Sequence, residues 1–122
     1  LLLSLPFGLF TVAILVANEV PDHAPDTASG KRTWVARIGV HRAYLLYHSL
    51  AALGFLFLLV NVAFGVLGLF TLTALVATPG AAGGGEIIRK GSDRESRLLV
   101  ASALTIAAHT AVGIAVVVDL LV

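Results

Sequence analysis

The sequence has no cysteine and no methionine, and only 12% of its 122 residues are charged. Without cysteine there is no disulfide, no thiolate metal site and no cysteine nucleophile. Ordinary soluble domains carry roughly 25% charged residues, so the scarcity here excludes a disordered chain and a soluble globule. A formal net charge of +1 is too small to steer a polyanion, which removes nucleic acid as a partner. No basic segment precedes the first apolar run and no small-residue cleavage site follows it, so a secretory signal is not indicated. Position 1 is itself Leu, and the chain is expected to be a piece of a larger protein.

What is present is apolar: 58% hydrophobic residues and a mean hydropathy of +0.99. That is the composition of an integral membrane protein. Four apolar spans are expected, at about 1–18, 43–60, 62–78 and 98–121. The second and third come from one unbroken stretch, Ala43 to Thr78, which as a single helix would be about 54 Å long. A hydrocarbon core is only about 30 Å thick, so the stretch must fold back once. Asn61 is the expected turn, the only strongly polar side chain between His48 and Glu86. The glycine-rich segment Pro79 to Gly85 reads as a flexible breaker.

Two charged loops, about 19–42 and 79–97, separate these spans. Lys31, Arg32, Arg37 and Arg42 lie in the first, and Arg89, Lys90, Arg94 and Arg97 in the second. Those eight are all the basic residues of the chain. Cytoplasmic loops carry the excess of Lys and Arg, so both loops are placed on the cytoplasmic face of the cell membrane. The fold class expected is an all-α polytopic membrane helical bundle, its four helices forming the carboxy-terminal part of a larger one.

The polar residues gather between Asn18 and Arg42. Asn18, Asp22 and Asp26 recur every four residues, a spacing that stacks oxygen-bearing side chains along one helix face. Carboxylates collected at a membrane boundary repel one another unless a cation neutralises them. Mg²⁺ takes such oxygen ligands, often one or two carboxylates completed by substrate phosphates and water. Gly30-Lys31-Arg32-Thr33 follows directly, two cations and a hydroxyl suited to phosphate oxygens. An acid pair followed by a basic pair at the lip of a bundle suits an amphiphile, with its anionic head at the loop and its tail between helices. A plainer reading stands beside this one. Asp22 and Asp26 are then solvated loop residues, Asp26 an N-cap, and the basic residues are headgroup anchors. Trp34, Tyr44 and Tyr47 read as an interfacial aromatic belt.

The complete string resembles the second aspartate-rich motif of the UbiA family of intramembrane prenyltransferases. Asn18, Asp22 and Asp26 match its N-x-x-x-D-x-x-x-D pattern, and Gly30, Lys31, Arg32, Thr33, Arg37 and Gly39 match the continuation. Within the family, Asn-Glu-x-Pro-Asp and Gly-Lys-Arg-Thr look most like the 1,4-dihydroxy-2-naphthoate prenyltransferases of menaquinone synthesis. The resemblance implies Mg²⁺-dependent transfer of a polyprenyl group from its diphosphate to an aromatic acceptor. Asp22 and Asp26 would be metal ligands supported by Asn18, and Lys31, Arg32 and Arg37 would contact diphosphate. A first aspartate-rich motif is not present in the 122 residues. The missing half-site would therefore come from amino-terminal helices, and this piece alone is expected to be inactive.

Other acceptors, such as 4-hydroxybenzoate, homogentisate or a glycerol-phosphate lipid, give the alternative within the family. A non-catalytic bundle or a transporter fragment gives the alternative outside it. Pro21 and Pro25 precede the two aspartates and threaten helical geometry there. His109, on one face with Ser102 and Thr105, is read as a buried helix-to-helix contact or a catalytic group. Glu86, Asp93 and Glu95 belong to a loop that caps the site or is solvated. Asp119 is expected to reach water, and Gly65 and Gly68 to allow close helix packing.

Overall fold

The computed structural model describes residues 2–90 and 95–122, and among these there is no strand. Helix α1 spans Ser4–Glu19, α2 His23–Ala28, α3 Trp34–Ile38 and α4 Val40–Ala63. A 3₁₀ helix, Leu69–Ala77, runs directly into α5, Thr78–Lys90, and α6 covers Glu95–Leu121. Of the second charged segment, Asp93, Arg94 and the Glu95 side chain lie outside the described residues.

Two buried clusters mark the two ends of the bundle. One joins Val16, Ala17 and Val20 of the α1 end to Val35 of α3, Ala43 and Tyr47 of α4, Ile88 of α5, and Leu98 and Ala101 of α6. The other joins Phe10, Leu58, Leu67, Ala74, Val112, Ala115 and Val116. The chain therefore runs back and forth between these ends, and its two charged segments meet at the first. Large apolar side chains such as Leu15, Leu45, Leu56, Leu99, Ile114 and Val117 stay exposed on the outer faces. An apolar exterior over an apolar core is what a lipid-facing bundle presents. Among the described residues α4 and α6 are long and apolar enough to cross a membrane, while α1 is apolar with 16 residues.

The expected third span needs correction. Asn61 is not the turn: it lies in the last turn of α4 and is fully buried. Its Nδ2 donates to the Phe57 and Leu2 carbonyls, at 2.7 and 3.0 Å. The reversal comes at Phe64 to Gly68, where the Val66 and Leu67 amides donate to the Asn61 carbonyl and Gly65 takes a φ of +68°. Asp119 does not simply reach water. Its carboxylate accepts from the Gly68 and Thr71 amides, capping the 3₁₀ helix from the far end of α6. A Cβ on Gly68 would stand 2.9 Å from that carboxylate, so Gly68 does permit close approach to α6, whereas Gly65 has nothing within 4 Å and serves the turn through its positive φ.

The glycine-rich segment is not a breaker either. It is the body of α5, with Pro79 in the first turn, where its missing N–H leaves no helical bond unmade. Three glycines in a row disfavour a helix, but packing outweighs propensity here. A Cβ on Gly85 would stand 2.4 Å from the His48 ring, and one on Gly84 would stand 2.9 Å from the Tyr47 hydroxyl and 3.2 Å from the Ala101 carbonyl. Tyr47 is fully buried, so it is no interfacial belt residue; it donates to the Ala81 carbonyl at 3.0 Å and pairs with the Thr105 hydroxyl at 2.8 Å.

Gly84 and Gly83 should respond oppositely to a methyl group. Gly84→Ala is expected to lower stability by about 1–3 kcal/mol, because the Tyr47 hydroxyl and a backbone carbonyl must give way. Gly83→Ala meets only Leu104 Cδ1, at 3.7 Å, and should be neutral or gain up to about 1 kcal/mol from helix propensity. Unfolding midpoints of the two variants in detergent check the contrast.

Candidate functional site

Two short helices carry the motif at the first end of the bundle. α1 closes at Glu19, with Asn18 exposed in its final turn. After Val20 and Pro21, Asp22 sits at the N-cap of α2, and the Asp26 amide donates to its carbonyl at 2.9 Å. Asp22 and Asp26 thus stand one helical turn apart. Pro25 is tolerated because it falls in the first turn of α2, where N–H groups lack intrahelical acceptors. The break between Glu19 and His23 means that Asn18 belongs to a different helix from the two aspartates. Asp26 is inside α2 rather than at its cap.

The exit from α2 explains the glycine and lysine of the motif. Gly30, at φ +74°, donates to the Thr27 carbonyl at 3.2 Å, and Lys31 donates to the Asp26 carbonyl at 2.9 Å. This paired closure requires a left-handed residue, which glycine takes without a Cβ penalty. It folds the chain back so that Lys31 stands over the residue it follows by five. Lys31 Nζ then donates to Asp26 Oδ1 at 2.8 Å. The carboxylate side chain is 10% exposed and the lysine 66%.

The strap Lys31-Arg32-Thr33 leads into α3. Thr33 is its N-cap, its hydroxyl accepting from the Ala36 amide at 3.2 Å. The neighbouring Val35 amide donates to Glu19 Oε2 at 2.9 Å, so α1 and α3 are tied directly. Val35 and Val20 share the buried cluster beneath. Gly39, at φ +80°, separates α3 from α4 and accounts for the glycine two residues after Arg37. Arg32 and Arg37 are exposed, and neither forms an ion pair among the described residues. The structure therefore brings Asp22, Asp26 and Lys31 together and leaves Arg32 and Arg37 facing outward nearby. Glu19, which the sequence alone gives no role, joins these residues; its sequence signal is its place in the Asn-Glu-x-Pro-Asp string.

The electrostatics follow the geometry. Lys31 is held above its ordinary 10.5, chiefly by its hydrogen bond to Asp26 and the attraction of that carboxylate, with Asp22 adding to it. At the same end of the bundle, Glu86 is pulled down to about 2, first by its hydrogen bond to Arg89 and then by the charges of Arg89 and Lys90. Arg89 Nε and Nη2 donate to the two carboxylate oxygens of Glu86, at 2.7 and 2.6 Å.

Among the described residues no group of three or more His, Cys, Asp or Glu side chains stands ready to hold a metal alone. Two carboxylates one turn apart do suit a hard divalent cation whose remaining ligands are phosphate and water. His109 lies away from this end. Its ring meets Phe7 edge-on at 5.9 Å and Phe10 at 6.2 Å, beside an apolar groove of about 370 Å³ that it lines with Gly113, Ile114 and Val117.

Helices with an apolar exterior, two of them long and apolar enough to cross a bilayer, and with the described basic side chains gathered at one end, make a membrane protein. A sequence model of the UbiA prenyltransferase family matches residues 1–100, and the chain belongs to that family. No curated protein and no solved structure matches it.

The raised Lys31 value carries a prediction with a definite sign. A lysine bound more tightly to its proton in the folded state stabilises the fold below 10.5 and loses that contribution as pH rises through the raised value. An NMR titration of the labelled Lys31 side chain should place its midpoint above 10.5. Asp26→Asn should bring it back. An identical midpoint in both proteins would mean that the pair does not form in solution.

Proposed function

We propose that this chain supplies the carboxylate and cation half of the diphosphate site of an intramembrane prenyltransferase. The substrates are a polyprenyl diphosphate and an aromatic quinone precursor, 1,4-dihydroxy-2-naphthoate by the Asn-Glu-x-Pro-Asp and Gly-Lys-Arg-Thr signature. The observation that carries the reading is one helical turn with two carboxylates, Asp22 and Asp26, onto which the following chain folds Lys31. The family match supplies the reaction class.

In this reading Asp22 and Asp26 hold Mg²⁺, with Asn18 at the neighbouring helix end. The metal supplies charge stabilisation to the departing diphosphate and a template for its oxygens. Lys31 and Arg32, on a strap fixed at both ends, present cations to the same anion, and Arg37 stands one helical turn beyond Thr33. Lys31 is well placed for such a partner change, because its side chain is largely exposed while that of Asp26 is not. The apolar legs give the prenyl tail an environment in which its burial is favourable. We place the charged end in the cytoplasm because every basic residue of the chain falls in the two segments that meet there.

The test is prenyl transfer by the complete protein in membranes or detergent. Asp22→Asn and Asp26→Asn should each lower kcat/KM by at least about 100-fold at unchanged fold. Lys31→Met should act mainly through KM for the prenyl diphosphate. Unchanged transfer in Asp22→Asn would remove the aspartates from the site. Comparing 1,4-dihydroxy-2-naphthoate with 4-hydroxybenzoate and homogentisate decides the acceptor.

A further inference from the structure

We infer that Glu19 is a positioning residue for the diphosphate-binding strap, an inference that rests on the reading of Asp22, Asp26 and Lys31 given above. Three observations lead there. First, residues 31–33 carry the cations but belong to no helix, so their placement depends on what holds the two ends of the strap. The upstream end is closed by the Gly30 turn, through the Lys31 amide and the Asp26 carbonyl. The downstream end is the start of α3, a five-residue helix too short to be stable through its own hydrogen bonds, which is held by the buried Val35 side chain and by its caps.

Second, the first amides of that helix need acceptors from outside it. Thr33 accepts from the Ala36 amide and Glu19 from the Val35 amide, at 2.9 Å. Third, Glu19 is not a neighbour in the loop. It is the last residue of α1, sixteen positions back, adjacent to Asn18 and three residues before Asp22. One carboxylate thus ties the helix that ends beside the acidic residues to the helix that begins after the basic ones. The strap is held in register with the carboxylates across the intervening turn. Glu19 touches no reacting group. Its effect reaches the anion through where Lys31 and Arg32 stand.

Gln keeps an oxygen at the same reach and should still accept from Val35, whereas Met keeps the size without an acceptor. The complete protein is compared as Glu19→Gln and Glu19→Met, with Asp22→Asn alongside. The probes are Mg²⁺ with inorganic pyrophosphate for binding, KM and kcat for prenyl transfer, and hydrogen exchange of the 33–37 segment. Glu19→Met should expose the Val35 amide to exchange, weaken pyrophosphate binding and raise KM about tenfold, and leave kcat near that of the unmodified protein. Glu19→Gln should restore all three. If Glu19→Met does not fold, Glu19→Asp, one methylene shorter, should shift binding and exchange in the same direction.

Faster exchange at Val35 with unchanged pyrophosphate affinity and KM would overturn the inference and leave Glu19 a structural cap. A fall in kcat alone would overturn it too. Should Asp22→Asn bind and turn over normally, the reading of the site itself fails, and the role of Glu19 falls with it. Loss of binding in Asp22→Asn with normal behaviour of Glu19→Met refutes this inference while sparing that reading.

Discussion

The phenol of Tyr47 is buried where α4, α5 and α6 converge, and the bundle is organised around satisfying it. Its hydroxyl meets the Ala81 carbonyl and the Thr105 hydroxyl, one partner on each facing helix. A polar group in so apolar an interior costs free energy unless its bonds are made. Those bonds require the helices to approach closely, and Gly84 and Gly85 are where the approach occurs. The same convergence draws Ile88 and Leu98 into the cluster that holds Val20 and Val35. The charged end of α5 is thereby set at the same end of the bundle as the acidic turn.

At that end the architecture is made from helix termini. α1 ends at Glu19, α2 runs from its N-cap Asp22 to Ala28 and is closed by the turn at Gly30, and α3 lies between its caps Thr33 and Gly39. Each stop and start leaves amides and carbonyls to be satisfied. The residues that satisfy them are members or close neighbours of the motif. Gly30 is required by the turn, and the turn is what carries Lys31 back to Asp26. Thr33 caps α3, and the cap fixes the direction in which Arg37 leaves. The order of residues in this motif is thus an order of backbone requirements as much as of chemistry.

This explains which parts could be read from the sequence. The four-residue interval between Asp22 and Asp26 is local, and the helix keeps it despite Pro25 because the proline falls in a first turn. The apolar runs that became α1, α4 and α6 were legible from hydropathy and length. Their counterpart before α5 was not. Pro79 to Gly85 carries the composition of a loop, and only the His48 ring, the Tyr47 hydroxyl and the Ala101 carbonyl, all distant in sequence, make its glycines useful in a helix. Asn61 stands out in the sequence as the odd polar residue of an apolar stretch, but not as a buried residue inside α4. Its purpose depends on the Leu2 carbonyl, 59 residues away. Asp119 and Glu19 were illegible for the same reason, since each caps a helix that the chain brings to it from far along the sequence.

The burial of Asp26 sets a condition on anything that binds nearby. Its carboxylate is nearly withdrawn from solvent, and Lys31 is the cation that balances it. Removing one partner of such a pair leaves an uncompensated charge at far greater cost than exchanging it. Lys31 is the partner able to move, because its side chain is mostly exposed while that of Asp26 is not. An anion that recruits Lys31 must therefore leave another cation on Asp26. On the proposed reading, a diphosphate arriving with a divalent metal would meet that condition, and a bare anion would not. Charge balance at the buried aspartate would then favour joint arrival of metal and anion. The spacing of acid and base in the motif, five residues across a single glycine turn, is what couples the two.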